Sequence, residues 1–245
     1  MIFEMVGAII NSVGILAGGL CGWLVKKPIS AQQQSVIKVL LGAATVWFGL
    51  KLTWLSLNGT AGQILKQLGI ALLAMALGKI VGKNFRLQKF SNRIGQFATK
   101  KMAAVQAGAK SKFDDGFLVC TALFCAGPLA ILASVQEGLK EFSPVFVIKA
   151  VMDALATMAF FPIFGWGVLV SAIPVLAFQD AIIFLLQRWE PMLRNQPWPL
   201  LDSILAVDGL LIFCVALIIL QLKKIEIANY LPSLAFAPLL TWLLR

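Results

Sequence analysis

Three aspartates stand inside long apolar stretches of this sequence. Asp153 lies in Ala150-Val151-Met152-Asp153-Ala154-Leu155, Asp180 follows Gln179 in Phe178-Gln179-Asp180-Ala181, and Asp208 sits in Ala206-Val207-Asp208-Gly209. In a bilayer, a charged Asp near the centre costs roughly 2.5–3.5 kcal/mol on insertion scales, so chance placement is disfavoured. Burial in a low dielectric favours the neutral form of a carboxyl, and a carboxyl that takes up and releases a proton is what a proton-coupled carrier requires. A structural reading competes for Asp153. Lys149 precedes it by four residues, hence on the same helix face, and the two could neutralise each other as an ion pair. Asp180 and Asp208 are read as nearer the ends of their segments, within reach of interfacial water.

Other chemistry is excluded by what the chain lacks. With no histidine there is no Ser-His-Asp or Cys-His nucleophile, no HExxH zinc site and no axial His for haem. The cysteines Cys21, Cys120, Cys125 and Cys214 show no CxxC spacing and read as small buried hydrophobes. Two aspartates could in principle form a protease dyad sharing one proton. No GxGD motif, GxSxG elbow or Walker A loop accompanies it. No catalytic residue, metal ligand or cofactor is therefore expected.

The elements that must hold these carboxylates follow from composition. Hydrophobic residues make up 60% of the 245 and charged ones 13%, too few to cover a water-facing surface, so lipid is the expected solvent. A crossing helix needs about 20 mostly apolar residues. The chain offers eight such segments, at 5–25, 36–57, 62–82, 116–136, 144–162, 165–187, 200–222 and 228–244. The count falls to seven if the short hairpin at Phe161-Pro162-Ile163-Phe164-Gly165 is not a true loop. The predicted fold is an all-α polytopic transmembrane bundle, with 1–245 as a single membrane domain. The first span has no basic leader and no small-residue cleavage site, and is expected to be retained as an anchor.

Lysine and arginine placement sets the expected orientation. With the N-terminus outside, the inner side receives Lys26, Lys27, Lys38, Lys79, the basic residues of 83–112, Lys223 and Lys224; Arg188 and Arg194 point the other way. Segment 83–112 carries Lys83, Arg86, Lys89, Arg93, Lys100, Lys101, Lys110 and Lys112 with no acid before Asp114. Leu87, Phe90, Ile94 and Phe97 recur there at helical spacing, with the charges largely on other faces. That is the pattern of an amphipathic helix on an anionic cytoplasmic leaflet. Nucleic acid would need the charges without the Phe/Ile stripe and is not an expected partner.

Two features predict irregular helices. Gly127-Pro128 interrupts the fourth span, where proline removes an amide donor and glycine permits a bend, with Gln136 and Glu137 about two turns on. Pro162 and Pro174 bracket a second weak point around Ser171. Freed backbone groups at membrane depth are tolerated only inside protein or along a cavity. In the first span, Gly14, Gly18 and Gly22 recur every fourth position, approximately extended by Gly7 and Asn11. Such a stripe favours close helix packing, and the Asn11 amide is either interhelical glue or part of a polar pathway. The hairpins 36–82 and 200–244 share a Gly-containing apolar pattern and could form an inverted repeat of the transporter kind.

Several motifs then read together: Gly7-x-x-x-Asn11 with Gly18-Gly19; Gly127-Pro128-Leu-Ala-Ile-Leu-Ala-Ser134-Val-Gln136-Glu137-Gly138-Leu139; Lys149-x-x-x-Asp153; Ser171-Ala-Ile-Pro174-Val-Leu-Ala-Phe-Gln179; Gly209-Leu-Leu-Ile; and Lys224-Ile-x-Ile-Ala228-Asn229-x-Leu-Pro232. In this order they resemble the YdfK/YqgA family of bacterial inner-membrane proteins, domain of unknown function 554, over nearly the whole chain. The resemblance implies a multi-pass bacterial inner-membrane protein of transporter-like character and supplies no substrate. The chain departs from the family pattern at Asp208-Gly209, where Gly-Gly is usual, and at Glu137, where Asp is frequent.

The expected function is a transporter or channel-like carrier for a small solute or ion, proton- or cation-coupled through a buried Asp. Its path would draw on Asn11, Gly127, Pro128, Gln136, Glu137, Asp153, Ser171, Pro174 and Gln179, with Asp180 and Asp208 as further candidates. The alternative is a non-transporting scaffold, sensor or mechanically responsive protein working through 83–112. Expected partners are the bilayer, anionic lipid at 83–112 and a small solute or ion, with a homo-oligomer compatible with the glycine seams.

Overall fold

The structure, a computed structural model, describes residues 5–25, 29–108, 112–140, 142–196 and 199–244. Lys26, Lys27 and Lys110, which entered the charge argument, lie outside them. Among the described residues there is no strand. The helices are α1 (Val6–Leu24), α2 (Ala31–Leu55), α3 (Ala61–Asn84), α4 (Leu87–Gln106), α5 (Lys112–Ala126), α6 (Pro128–Leu139), α7 (Pro144–Phe164), α8 (Gly167–Val170), α9 (Ala172–Arg194), α10 (Leu200–Ile219) and α11 (Ser233–Leu243). A 3-10 turn, Ile227–Tyr230, precedes α11.

Six of these segments are long and apolar enough to cross a membrane, counting α8 and α9 together. The bent pair α5–α6 makes a seventh if it is one span. The expected eighth span, 228–244, is corrected by the structure. Asn229 through Pro232 form the 3-10 turn and its exit, leaving an 11-residue helix. With the turn included, the apolar helical stretch is Ile227–Leu243, still shorter than the about 20 residues a crossing helix needs. The chain does break here, but later than 161–165: α7 runs through Pro162 to Phe164 and turns at Gly165, whose φ of +70° is open to glycine without penalty. Large apolar side chains such as Trp47, Trp54 and Leu65 stay exposed on α2 and α3, the surface a bilayer would cover.

The chain forms two compact units. The first comprises Met1–Gln34, Phe90–Glu137 and Glu141–Ile183. Its spine is the crossing of α1 on α7. A Cβ at Gly14 would lie 2.8 Å from the Ala150 carbonyl oxygen and one at Gly22 would lie 2.6 Å from that of Met158, while Gly18 faces the Ala154 backbone. Both helices therefore meet in four-residue steps, and only glycine on α1 allows the approach. An apolar core of Ile15, Val119, Cys120, Phe124, Phe164, Val168 and Val175 fills in around α5, α7, α8 and α9. Gly127 separates α5 from α6 with a bend of 57°. Pro128 takes the first position of α6, where its missing N–H costs nothing, and the Gly127 carbonyl accepts from Ala130 N at 2.9 Å.

The second unit comprises Ser35–Lys89, Gly138–Lys140 and Phe184–Arg245. It contains both hairpins in which a repeat was read. Gly49 of α2 meets Gly209 of α10 so closely that a Cβ at Gly49 would stand 2.8 Å from the Gly209 carbonyl oxygen. Gly78 of α3 meets Ser233 at the start of α11 in the same manner. Asn229 pins the other end: its Oδ1 accepts from Gln88 N at 3.0 Å, and Gln88 Oε1 accepts from Ala228 N at 3.2 Å. The Ala228-Asn229 motif is thus a latch on the α3–α4 turn.

Helix α4 is amphipathic and occupies most of the described part of 83–112. Ala98 and Val105 are buried, whereas Phe90 and Phe97 are exposed. Lys101 bonds Asp115 at 2.7 Å and lies over the Phe97 ring.

Candidate functional site

Polar side chains from α1, α6, α7 and α9 gather inside the first unit. Asn11 is wholly buried on α1, one helical turn from Gly7 and on the same face. Its Nδ2 donates to Gln179 Oε1 on α9 at 3.4 Å, a long hydrogen bond, and the amide also bears on the Asp153 carboxylate. Ser12, the next residue on α1, donates to the Ala172 carbonyl at 3.4 Å. The seam that glycines open between α1 and α7 therefore carries an amide-to-amide link to α9.

Asp153 and Lys149 form the ion pair that their spacing allowed, with Lys149 Nζ on Asp153 Oδ2 and both side chains nearly buried. Thr157 Oγ1 donates to the Asp153 carbonyl at 2.6 Å. The Phe124 ring of α5 lies 6.0 Å from Lys149 Nζ, close enough for a cation–π contribution. Lys149 is as deeply placed as Asp153, so the site holds a cation of its own.

Glu137, near the end of α6, is 1% exposed and accepts from Gly7 N at 2.8 Å. Ala8 N and Ser143 N also bear on this carboxylate, and the Asp180 charge is felt there. Its neighbour Gln136 accepts from Ser143 Oγ at 2.5 Å. Gln136 is thus committed to the α6–α7 turn.

The unmade hydrogen bonds define the site as sharply as the made ones. Buried atoms without a partner include Asn11 Oδ1, Glu137 Oε2, Gln179 Nε2, Asp180 Oδ1 and Thr121 Oγ1, all on helices of this unit. Buried polar groups are ordinarily paired, and each orphan carries a desolvation cost of about 1–3 kcal/mol. A group of them in one unit is what a solute, ion or water path would satisfy.

The remaining candidates divide. Ser171 is buried and donates to the Val168 carbonyl at 2.6 Å, sealing the α8–α9 junction. Pro174 lies in the first turn of α9, downstream of the break, which falls at Gly165 through Ser171. Gly127 and Pro128 form the α5–α6 bend. Asp208 belongs to the second unit. Expected near a span end and interfacial water, it sits instead in mid-helix on α10, fully buried, with neither carboxylate oxygen partnered. Sequence reasoning missed Thr121 and the backbone N–H groups of Gly7, Ala8 and Ser143. A hydroxyl in an apolar run is unremarkable, and backbone donors leave no trace in residue type.

Two curated proteins are similar over nearly their whole length. One, "Uncharacterized membrane protein YdfK" of Bacillus subtilis (strain 168), is 27% identical over 241 residues, covering 98% of this chain and 97% of its own. The other, "Uncharacterized protein YqgA" of Escherichia coli (strain K12), is 24% identical over 234 residues, covering 95% and 94%. No solved structure matches the chain. The family model described as "Protein of unknown function (DUF554)" matches residues 6–242, so this membrane protein belongs to the DUF554 family.

Proposed function

We propose that the protein is a carrier or channel-like transporter for a small solute or ion, set in the bacterial inner membrane with its N-terminus outside and without enzymatic activity. The observation that carries this reading is the group of unpartnered buried polar atoms in the first unit, the unit that also holds the Lys149–Asp153 pair. A bundle evolved only to pack would have little use for so many unsatisfied groups. The α5–α6 bend adds support, because broken helices line solute sites in many carriers.

The test is current from purified protein in liposomes on a solid-supported membrane, screened with anions, cations, amino acids and proton jumps. A solute-specific current that Asp153→Asn abolishes is the expected result. A current that survives the substitution moves the coupling group to another carboxylate. Silence from folded protein across the screen removes the support for a carrier.

A second reading rests on α4, whose exposed Phe90 and Phe97 and flanking lysines suit docking to anionic lipid. Charge reversal along α4 would then abolish function while leaving any flux intact.

A further inference from the structure

Helix α1 begins without a cap. Met5 stands at its N-cap position with no side-chain hydrogen bond, and its first turn has no acidic residue. Helix α7 begins in a similar way, since Ser143 at its N-cap makes no capping bond and donates its hydroxyl to Gln136 instead. The start of α1 thus presents N–H groups and the positive end of its dipole; at α7, Pro144 has no N–H and Phe146 N donates to the Ser143 carbonyl, so that start offers its dipole and the Ser143 N–H. What answers them comes from neither helix. Glu137 places Oε1 2.8 Å from Gly7 N, within the influence of Ala8 N and Ser143 N. Its other oxygen, Oε2, is buried with no partner and lies directly against Gly7, where a Cβ would strike it and the Phe146 ring. Glycine at position 7 therefore shapes a seat for a carboxylate, and backbone donors at a helix start are a general anion site.

We infer that the uncapped starts of α1 and α7 form a binding site for a small carboxylate anion, which Glu137 occupies as a tethered, displaceable ligand. The chemistry is already displayed: a carboxylate sits on backbone N–H groups with half of its own hydrogen-bonding capacity unused. A second anion beside the Glu137 carboxylate would meet its repulsion, so an incoming anion replaces the Glu137 side chain rather than joining it. The inference rests on the carrier reading only in naming the solute, and binding can be measured apart from transport.

The experiment compares full-length wild type with Glu137→Ala in detergent, following thermal unfolding while sodium formate replaces sodium gluconate at constant ionic strength. Glu137→Ala should melt below wild type, and formate should raise its Tm saturably towards the wild-type value while leaving wild type unmoved. Equal effects on both proteins, or none on either, overturn the site. If Glu137→Ala does not fold, Glu137→Gln takes its place. A neutral amide holds the helix starts more weakly, so a smaller formate shift is expected, and its absence overturns the site. A formate-specific shift without current for any solute keeps the site and removes the carrier. Current without a formate shift keeps the carrier and removes the anion site.

Discussion

The two units solve the same packing problem and treat their buried acids in opposite ways. In each, two helices cross with glycine against backbone: Gly14, Gly18 and Gly22 on α7 in the first, Gly49 against Gly209 in the second. The buried acids of the first unit are engaged, Asp153 with Lys149 and Glu137 with the Gly7 amide, while the half-buried Asp180 keeps Oδ1 without a partner. Asp208 of the second has no donor at either oxygen, although it is just as deeply buried. Tight packing therefore does not create a polar site. Helices must also bring complementary donors, and α1, α7 and α9 do so where α10 and its neighbours offer Asp208 none.

The largest effect should come from breaking the engaged pair. Asp153→Leu leaves Lys149 as an uncompensated buried charge, with an expected loss of about 3–5 kcal/mol. Lys149→Met with Asp153→Leu should recover most of that loss, which chemical unfolding of the single and double variants would measure. Equal losses in both would mean that the pair contributes through packing alone.

Asp208 should respond with the opposite sign. Asp208→Leu removes a buried group that has no hydrogen bond, and should raise stability by about 1–3 kcal/mol. The same chemical-unfolding measurement decides this, and a large loss would show that Asp208 has a partner in the working protein. The paired outcomes at Asp153 and Asp208 are the sharpest test of the contrast between the units.

The glycine crossings should be equally intolerant in both units. Gly18→Ala and Gly49→Ala each force a Cβ onto a facing backbone, for an expected loss of about 1–3 kcal/mol. Indifference at one of them would show that its crossing is looser than its partner unit's. The smallest effect is expected at the surface. Lys101 is 38% exposed, so Lys101→Ala should cost only about 0.2–1 kcal/mol despite the contact to Asp115.

Much of this architecture was legible beforehand because its causes are local. Apolar length marks a span, Gly127-Pro128 marks a break, and the four-residue spacing of Lys149 and Asp153 puts them on one face. Segment 228–244 misled because its composition is as apolar as a span, while Ala228 and Asn229 spend its first turn on a latch to Gln88.

By itself, then, the sequence determined the solvent, most of the helices, the glycine stripe, the shared face of Lys149 and Asp153, and the break at Gly127-Pro128. Only the tertiary structure decided that Glu137 caps α1 from 130 residues away, that Asn11 meets Gln179 across 168, and that Asp208 meets nothing. The physical reason is one of range. Periodicity assigns each residue a face on its own helix, whereas hydrogen bonds between helices depend on how close two backbones come and at what register. Small residues permit that approach without specifying which helix arrives.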